Sequence, residues 1–186
     1  MSTTTSQHCS ASPSRLPNDL VMQVYIPATL AMLRRLVDDR LLHPVNGTAF
    51  AVTPALWEAY AEGDDDELAD VALRDAALAS LRLLGGQQPE ELPRRRAVLV
   101  AEVDDATPRP DLDDAVVRLA GPVALDRVIC AHVDNADAEE AVAAAIDAID
   151  AADLGDEDAE LVVGDAQDHD LAWYAPQELP FLLELL

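Results

Sequence analysis

The residues with the clearest capacity for chemistry lie in one acidic segment near the carboxyl end of the chain. Carboxylates at Asp165, Asp168 and Asp170 follow one another at spacings of three and two, and His169 adds an imidazole. Divalent cations bind where several oxygen atoms converge on one point. These four residues are therefore a candidate metal site, although the segment lacks the glycine and distal glutamate of a calcium-binding EF-hand loop. The alternative is a solvated acidic loop, because charge runs usually face water.

A thiol and an imidazole alternate in the segment Val-Ile-Cys-Ala-His-Val, at Cys130 and His132. Residues i and i+2 of a strand share a face, so the two side chains are expected to be neighbours. Nucleophilic catalysis needs the base within hydrogen-bond reach of the nucleophile, whereas alternate strand residues lie about 6–7 Å apart. The sequence offers no third group to orient the pair. We therefore expect Cys130 to be a small buried core residue.

Three consecutive arginines, Arg94, Arg95 and Arg96, hold a quarter of the positive charge of the chain. Guanidinium groups bind phosphate or carboxylate through paired hydrogen bonds, so this run is a candidate anion site. In so negative a chain the alternative is that the arginines bind the protein's own acids.

The carboxyl-terminal segment contains three of the seven aromatic residues, Trp173, Tyr174 and Phe181. An apolar chain end must be buried against something. It either docks on the protein's own core or forms an exposed patch for a partner or a homodimer, for which tryptophan and tyrosine are frequent anchors.

Charge dominates the composition. The 186 residues include 36 acids and 12 basic residues, and all 12 are arginine, which gives a formal net charge of −24. A field this negative repels nucleic acids and anionic membranes and attracts basic protein surfaces. With two cysteines and no apolar run near the roughly 18 residues of a membrane helix, the chain is expected to be cytoplasmic. We therefore predict no nucleic-acid or membrane partner.

The elements that must position these residues are short strands and helices. Residues 1–19 lack any hydrophobic period and are predicted to be a disordered tail, with Met22 a candidate start residue. Strands are predicted at apolar runs, of which 97–103 is nearly all apolar and hence central; the others are 20–26, 49–52, 115–119, 128–133, 161–163 and 171–174.

Helices are predicted where caps precede an amphipathic stripe. The predicted caps are Thr29, Thr53, Asp64 and either Asp134 or Asn135, and a last helix opens at Pro176. Loops are predicted at 104–113 and 153–158. Residues 20–186 are thus predicted to form a single acidic domain of the α/β or α+β class, with a mixed sheet of about five to seven strands and helices packed on it.

Five segments carry a resemblance to a family: MQVYIPATL, GTAFAVTPAL, AVVRLAGPV, AADLGDEDAE and WYAPQELPFLL. They are similar to segments of an uncharacterised family of small acidic actinobacterial proteins, a domain of unknown function. The resemblance covers Met22 to Leu186. It implies a bacterial intracellular protein and brings with it no activity, ligand or catalytic residue.

The residues favour a non-enzymatic interaction or regulatory protein whose acidic surface faces a basic partner. The chain has no glycine-rich phosphate loop, serine-nucleophile elbow, zinc-peptidase motif or CxxC pair. We therefore predict no cofactor, and no catalytic residue is identified. The alternative is a small enzyme or divalent-metal-binding protein that uses the acids from Asp165 to Asp170.

Overall fold

The most apolar strand of the chain lies in the middle of the sheet. The computed structural model describes residues 21–86 and 92–186. Within them, β4 (Ala97–Val103) lies between β1 (Met22–Ala28) and β8 (Val128–Asp134), and all three are seven residues long. Strands buried on both faces are apolar throughout, which explains the composition of β4. The predicted central position of residues 97–103 is confirmed.

Shorter strands extend the sheet on both sides of this centre. They are β3 (Thr48–Phe50), β5 (Thr107–Pro108), β6 (Val116–Arg118) and β9 (Leu171–Tyr174). The order across the sheet is β5-β6-β3-β1-β4-β8-β9, and each neighbouring pair is antiparallel. Two further strands, β2 (Leu41–Leu42) and β7 (Val123–Ala124), form a separate antiparallel ladder.

Helices pack on the sheet, so the predicted class is confirmed. They are α1 (Leu30–Asp39), α2 (Pro54–Ala59), α3 (Asp65–Gly85), α4 (Glu139–Asp153), α5 (Glu157–Gln167) and α6 (Leu179–Glu184). We predicted a sheet with both parallel and antiparallel strands, whereas all neighbouring strands of the observed sheet are antiparallel. Between β8 and β9 the reason is the connection, because α4 and α5 form a helical hairpin that returns the chain to the end where β8 finishes.

The two faces of the sheet are covered by different helices. On one face, Val24, Ile26 and Leu99 pack with residues of α1 and α6. On the other face, Tyr25 and Val98 pack with residues of α2 and α3. A third apolar cluster joins α3 to α4 and α5; its buried members are Leu81, Ala138, Val142, Ala145, Ile149, Val163 and Ala166. The α4–α5 hairpin is therefore attached to the sheet through α3.

Side-chain caps begin four of the helices. Thr29, Thr53 and Asp64 cap α1, α2 and α3, as the sequence predicts, and Asp156 caps α5. Each accepts a hydrogen bond from a backbone N–H that has no partner inside its helix. The predicted cap Asp134 has another role, described below, and Asn135 instead precedes a 3-10 turn before α4.

Several predicted boundaries are wrong. Residues 161–163 lie in α5 and not in a strand. The loop predicted at 153–158 is shorter than expected, because Asp153 ends α4, Asp156 caps α5 and Glu157 is the first residue of α5. The loop predicted at 104–113 contains β5. Strand β1 continues through Pro27. The proline is tolerated because β3 pairs with β1 only at Tyr25, so at Pro27 the strand has β4 as its one neighbour. The predicted tail, residues 1–19, lies outside the described residues.

A partly buried carboxyl on α3 provides a test of the packing on that helix. Burial, together with the nearby carboxylate of Asp113, raises the pKa of Asp75 from 3.8 to about 6. The folded protein therefore holds this proton more tightly than the unfolded chain, and the stabilisation by protonation is lost as pH rises through about 6. We expect Asp75→Asn to raise stability by about 1–2 kcal/mol at pH 7.5 and to have little effect below pH 4.

Thermal melts at the two pH values measure this difference. Asp147→Asn, which removes an exposed carboxylate from α4, is the matched control and should change stability equally little at both. Equal effects of the two substitutions at pH 7.5 would contradict the account of Asp75.

Candidate functional site

A cavity of about 300 Å³ lies between α3 and the edge of the sheet formed by β8 and β9. Its walls come from four separate parts of the chain: α3, the residue before β4, strand β8 and the turn between α5 and β9. The lining residues are Asp70, Leu73, Arg74, Ala77, Arg96, His132, Gln167, His169, Asp170 and Leu171. Small-molecule sites are concave and combine apolar surface with a few converging polar groups, as this cavity does.

A buried ion pair forms one wall of the cavity. Arg96 is 2% exposed, and its Nε and Nη2 atoms donate to the carboxylate of Asp134, which is fully buried, at 2.9 and 2.7 Å. The backbone N–H of Arg96 donates to the same carboxylate at 2.8 Å, and Nη2 also donates to the carbonyl of His169 at 2.9 Å. The pair thus ties together β4, β8 and the turn that leads into β9.

Two guanidinium groups keep unused hydrogen-bond donors at this cavity. In the part of the chain that the structure describes, Nη1 of Arg96 has no hydrogen-bond partner, and it is not among the buried unpaired polar atoms, so a small part of its surface is accessible. Arg74 is exposed on α3 and forms no ion pair or hydrogen bond with any described residue. Both are cavity-lining residues, so both have donors free for a ligand.

The thiol and imidazole on β8 are closer than the strand spacing predicts. The Cys130 Sγ atom lies 3.8 Å from Nε2 of His132, because the two side chains lean toward each other. Burial raises the pKa of the Cys130 thiol, an effect that a hydrogen bond from Trp173 partly offsets, and burial lowers the pKa of His132. Both shifts favour a neutral thiol beside a neutral imidazole. A nucleophilic cysteine instead needs a thiolate, which a protonated imidazole beside it would stabilise.

A second depression, of about 340 Å³, runs between α4 and α5 on the outer side of the hairpin. Its apolar lining residues, which we call the floor, are Ala141, Ala144 and Val162. Its polar lining residues, which we call the rims, are Asp137, Glu140, Asp165 and His169. The residues at 137, 140, 141 and 144 follow the helical spacing of one face. We call this depression the acidic groove.

The groove lies in a part of the chain that has no arginine. All 12 arginines occur at or before Arg127, whereas 16 carboxylates follow it. Of these carboxylates, those of Asp134, Glu139 and Asp153 form ion pairs, with Arg96, Arg95 and Arg82. The others form no ion pair with any residue from 21–86 or 92–186. The hairpin therefore presents most of its negative charge to solvent without compensation.

The candidate metal ligands are divided between the two depressions. Asp165 and His169 line the acidic groove, His169 and Asp170 line the cavity, and Asp168 ends α5 without lining either. Across residues 21–86 and 92–186, no group of three or more histidine, cysteine, aspartate or glutamate side chains is arranged to hold a metal ion. The candidate ligands are divided because α5 ends at Gln167, so that Asp165 lies in the helix whereas Asp168, His169 and Asp170 follow it.

The candidate anion and partner residues have separate environments. Arg95 pairs with Glu139 at 2.7 Å, Arg96 pairs with Asp134, and Arg94 is exposed. Trp173 on β9 is 59% exposed beside His132, and Phe181 on α6 is 67% exposed.

Tyr174 is partly buried against the core on the α1 and α6 face of the sheet. The three aromatic residues therefore do not form one patch on one element.

Sequence reasoning missed both depressions. The acidic groove was not predicted because residues 161–163 were assigned to a strand. That assignment places Val162 in a sheet and not beside α4. The signals that identify α5 as a helix are the Asp156 cap and the acids Glu157, Asp158 and Glu160 in its first turn. The cavity has no local signal, since its walls are separated by up to about a hundred residues.

Among the helices of the described residues, none is long and apolar enough to cross a membrane. The chain matches no curated protein and no solved structure. The resemblance to a domain of unknown function is confirmed by one family model, which matches residues 22–183. The chain belongs to that family, a family of unknown function (DUF6912).

Proposed function

We propose that this protein is a non-enzymatic cytoplasmic interaction protein that binds a basic helical segment of a partner protein in the acidic groove between α4 and α5. The observation that supports the proposal most directly is an apolar floor between acidic rims. A helix with leucine-like side chains on one face and lysine or arginine at its margins fits such a groove. This is the arrangement by which amphipathic helices are commonly recognised.

The charge distribution supports a basic partner over a second copy of the chain. The 16 carboxylates after Arg127 repel one another and their counterparts on another copy. A basic segment relieves this repulsion, and the same field increases its rate of encounter. Leu161, an exposed apolar residue next to Val162 on α5, adds surface that a partner can bury.

Binding of a defined peptide tests the proposal. The probe is an 18-residue helical peptide of lysine and leucine with all leucines on one face, and the comparison peptide has the same composition in scrambled order. At 0.15 M salt we expect the amphipathic peptide to bind at least tenfold more tightly, since only its apolar face can cover the floor of the groove. Each tenfold corresponds to about 1.4 kcal/mol. Fluorescence anisotropy measures both dissociation constants.

A pair of variants separates the groove from the general field. Asp137→Asn, Glu140→Gln and Asp165→Asn together remove three charges from the rims and should weaken binding at least tenfold. The matched control removes three exposed carboxylates elsewhere, through Asp38→Asn, Asp39→Asn and Glu102→Gln. It should weaken binding less than threefold. Equal losses from the two variants, or equal affinity for the two peptides, would show that charge alone causes the binding.

A further inference from the structure

Independently of the partner, we propose that the cavity between α3 and the β8–β9 edge binds a small zwitterion of the amino-acid class, with its carboxylate on Arg96 and Arg74 and its ammonium between Asp70 and Asp170. The proposal follows from which lining groups the protein leaves without partners.

Arg96, which lines the cavity, has a hydrogen-bond donor that the protein does not use. Nη1 of Arg96 has no acceptor among the described residues, whereas the other donors of this side chain are all used. Hydrogen bonds from a charged donor are stronger than neutral ones, so a ligand that supplies an acceptor to this accessible Nη1 atom gains affinity. A carboxylate matches the fork of a guanidinium group. Arg74 supplies a second cation for the same group.

Two carboxylates that line the cavity would be stabilised by a positive charge on the ligand. Asp70 and Asp170 are exposed lining residues, and neither forms an ion pair with a residue in the described ranges. A simple anion would meet these two carboxylates with only Arg74 to offset them, because the charge of Arg96 is already balanced by Asp134. An ammonium group next to the carboxylate of the ligand removes that repulsion. One anionic acceptor and one ammonium in a ligand small enough for this cavity are the features of an α-amino acid or a close relative.

The size and remaining chemistry of the cavity fit such a ligand. A volume of about 300 Å³ lies at the lower end of small-molecule sites and accommodates a free amino acid. Leu73, Ala77 and Leu171 supply apolar surface for a side chain. His132 is half-buried, and its contact with Cys130 uses Nε2, which leaves Nδ1 for the ligand.

Thermal shift in the presence of single compounds tests the proposal. The probes are the standard amino acids at 10 mM each, at constant ionic strength, with acetate and ethylamine as ligands that carry only one of the two charges. A ligand at a hundredfold excess over its dissociation constant should raise Tm by about 5–10 °C. We expect a saturable shift from at least one amino acid and none from acetate or ethylamine.

Substitutions then assign the shift to the cavity. Arg74→Gln should weaken the dissociation constant at least tenfold, whereas Arg35→Gln, which removes an exposed arginine from α1 on the opposite face, should leave it unchanged. The imidazole NMR signals of His132 should move with the same saturation curve.

The proposal is overturned if no amino acid exceeds the two single-charge compounds, or if Arg74→Gln binds as tightly as Arg35→Gln. Peptide binding in the acidic groove uses other residues, so its success or failure is decided separately.

Discussion

Asp134→Asn is expected to destabilise the protein by about 3–5 kcal/mol, which is a large part of the roughly 5–15 kcal/mol that holds a domain of this size together. The side chains of Arg96 and Asp134 are 3% and 0% exposed and 2.7 Å apart. The substitution leaves the guanidinium charge buried without a counter-charge. It also weakens the acceptor for the backbone N–H of Arg96. Urea unfolding measures the loss as a lower midpoint.

A double substitution shows whether charge balance is the cause. Arg96→Met combined with Asp134→Leu removes both charges and keeps apolar volume, so stability should recover in part, with a remaining loss of about 1–3 kcal/mol because the backbone N–H of Arg96 loses its acceptor. A loss below 1 kcal/mol in Asp134→Asn alone would mean that water reaches the pair. That result would contradict the burial described here.

Removal of residues 179–186 is expected to leave a chain without a cooperative unfolding transition. The deletion takes away α6, in which Leu179, Leu182 and Leu183 are buried against the apolar face of α1. Burial of each side chain contributes about 1.5–3 kcal/mol, so the total approaches the stability of the whole domain. Near-ultraviolet circular dichroism and a thermal melt detect the loss of fixed packing.

Exposed residues of the same segment provide the control. Phe181→Ala and Leu185→Ala, at 67% and 86% exposure, should each change stability by no more than about 0.5 kcal/mol. If the truncated chain still melts cooperatively, the segment is not part of the core, and its aromatic and apolar residues serve as a binding patch instead.

The sequence predicts those parts of the fold that have local causes. The apolar run of β4 predicts a central strand, and Thr29, Thr53 and Asp64 predict three helix starts, because a cap acts on residues within one turn. Residues 161–163 were misassigned since Leu-Val-Val is typical of a strand. Packing of Val163 against α4 and α3 overrides that preference.

The candidate sites were predictable only as a list of charged residues. Arg96 meets Asp134 across 38 positions and His169 across 73, and no local pattern encodes such pairs. The sequence places Asp165, Asp168 and Asp170 close together, yet Asp165 lies in α5 and lines the acidic groove, whereas Asp170 follows the helix and lines the cavity. Conversely, Asp137 and Asp165 face one groove although 28 positions separate them. Tertiary packing decides which acids act together.

Mapping of the amphipathic lysine–leucine peptide by NMR tests the central claim most directly. Titration into uniformly ¹⁵N-labelled protein should shift the backbone amide signals of Ala141, Ala144 and Val162, which form the floor of the acidic groove. Those shifts should saturate together, while the amides around Asp38 and Asp39 on α1 stay in place. Shifts spread evenly over all acidic surfaces, without saturation at one equivalent, would contradict the account.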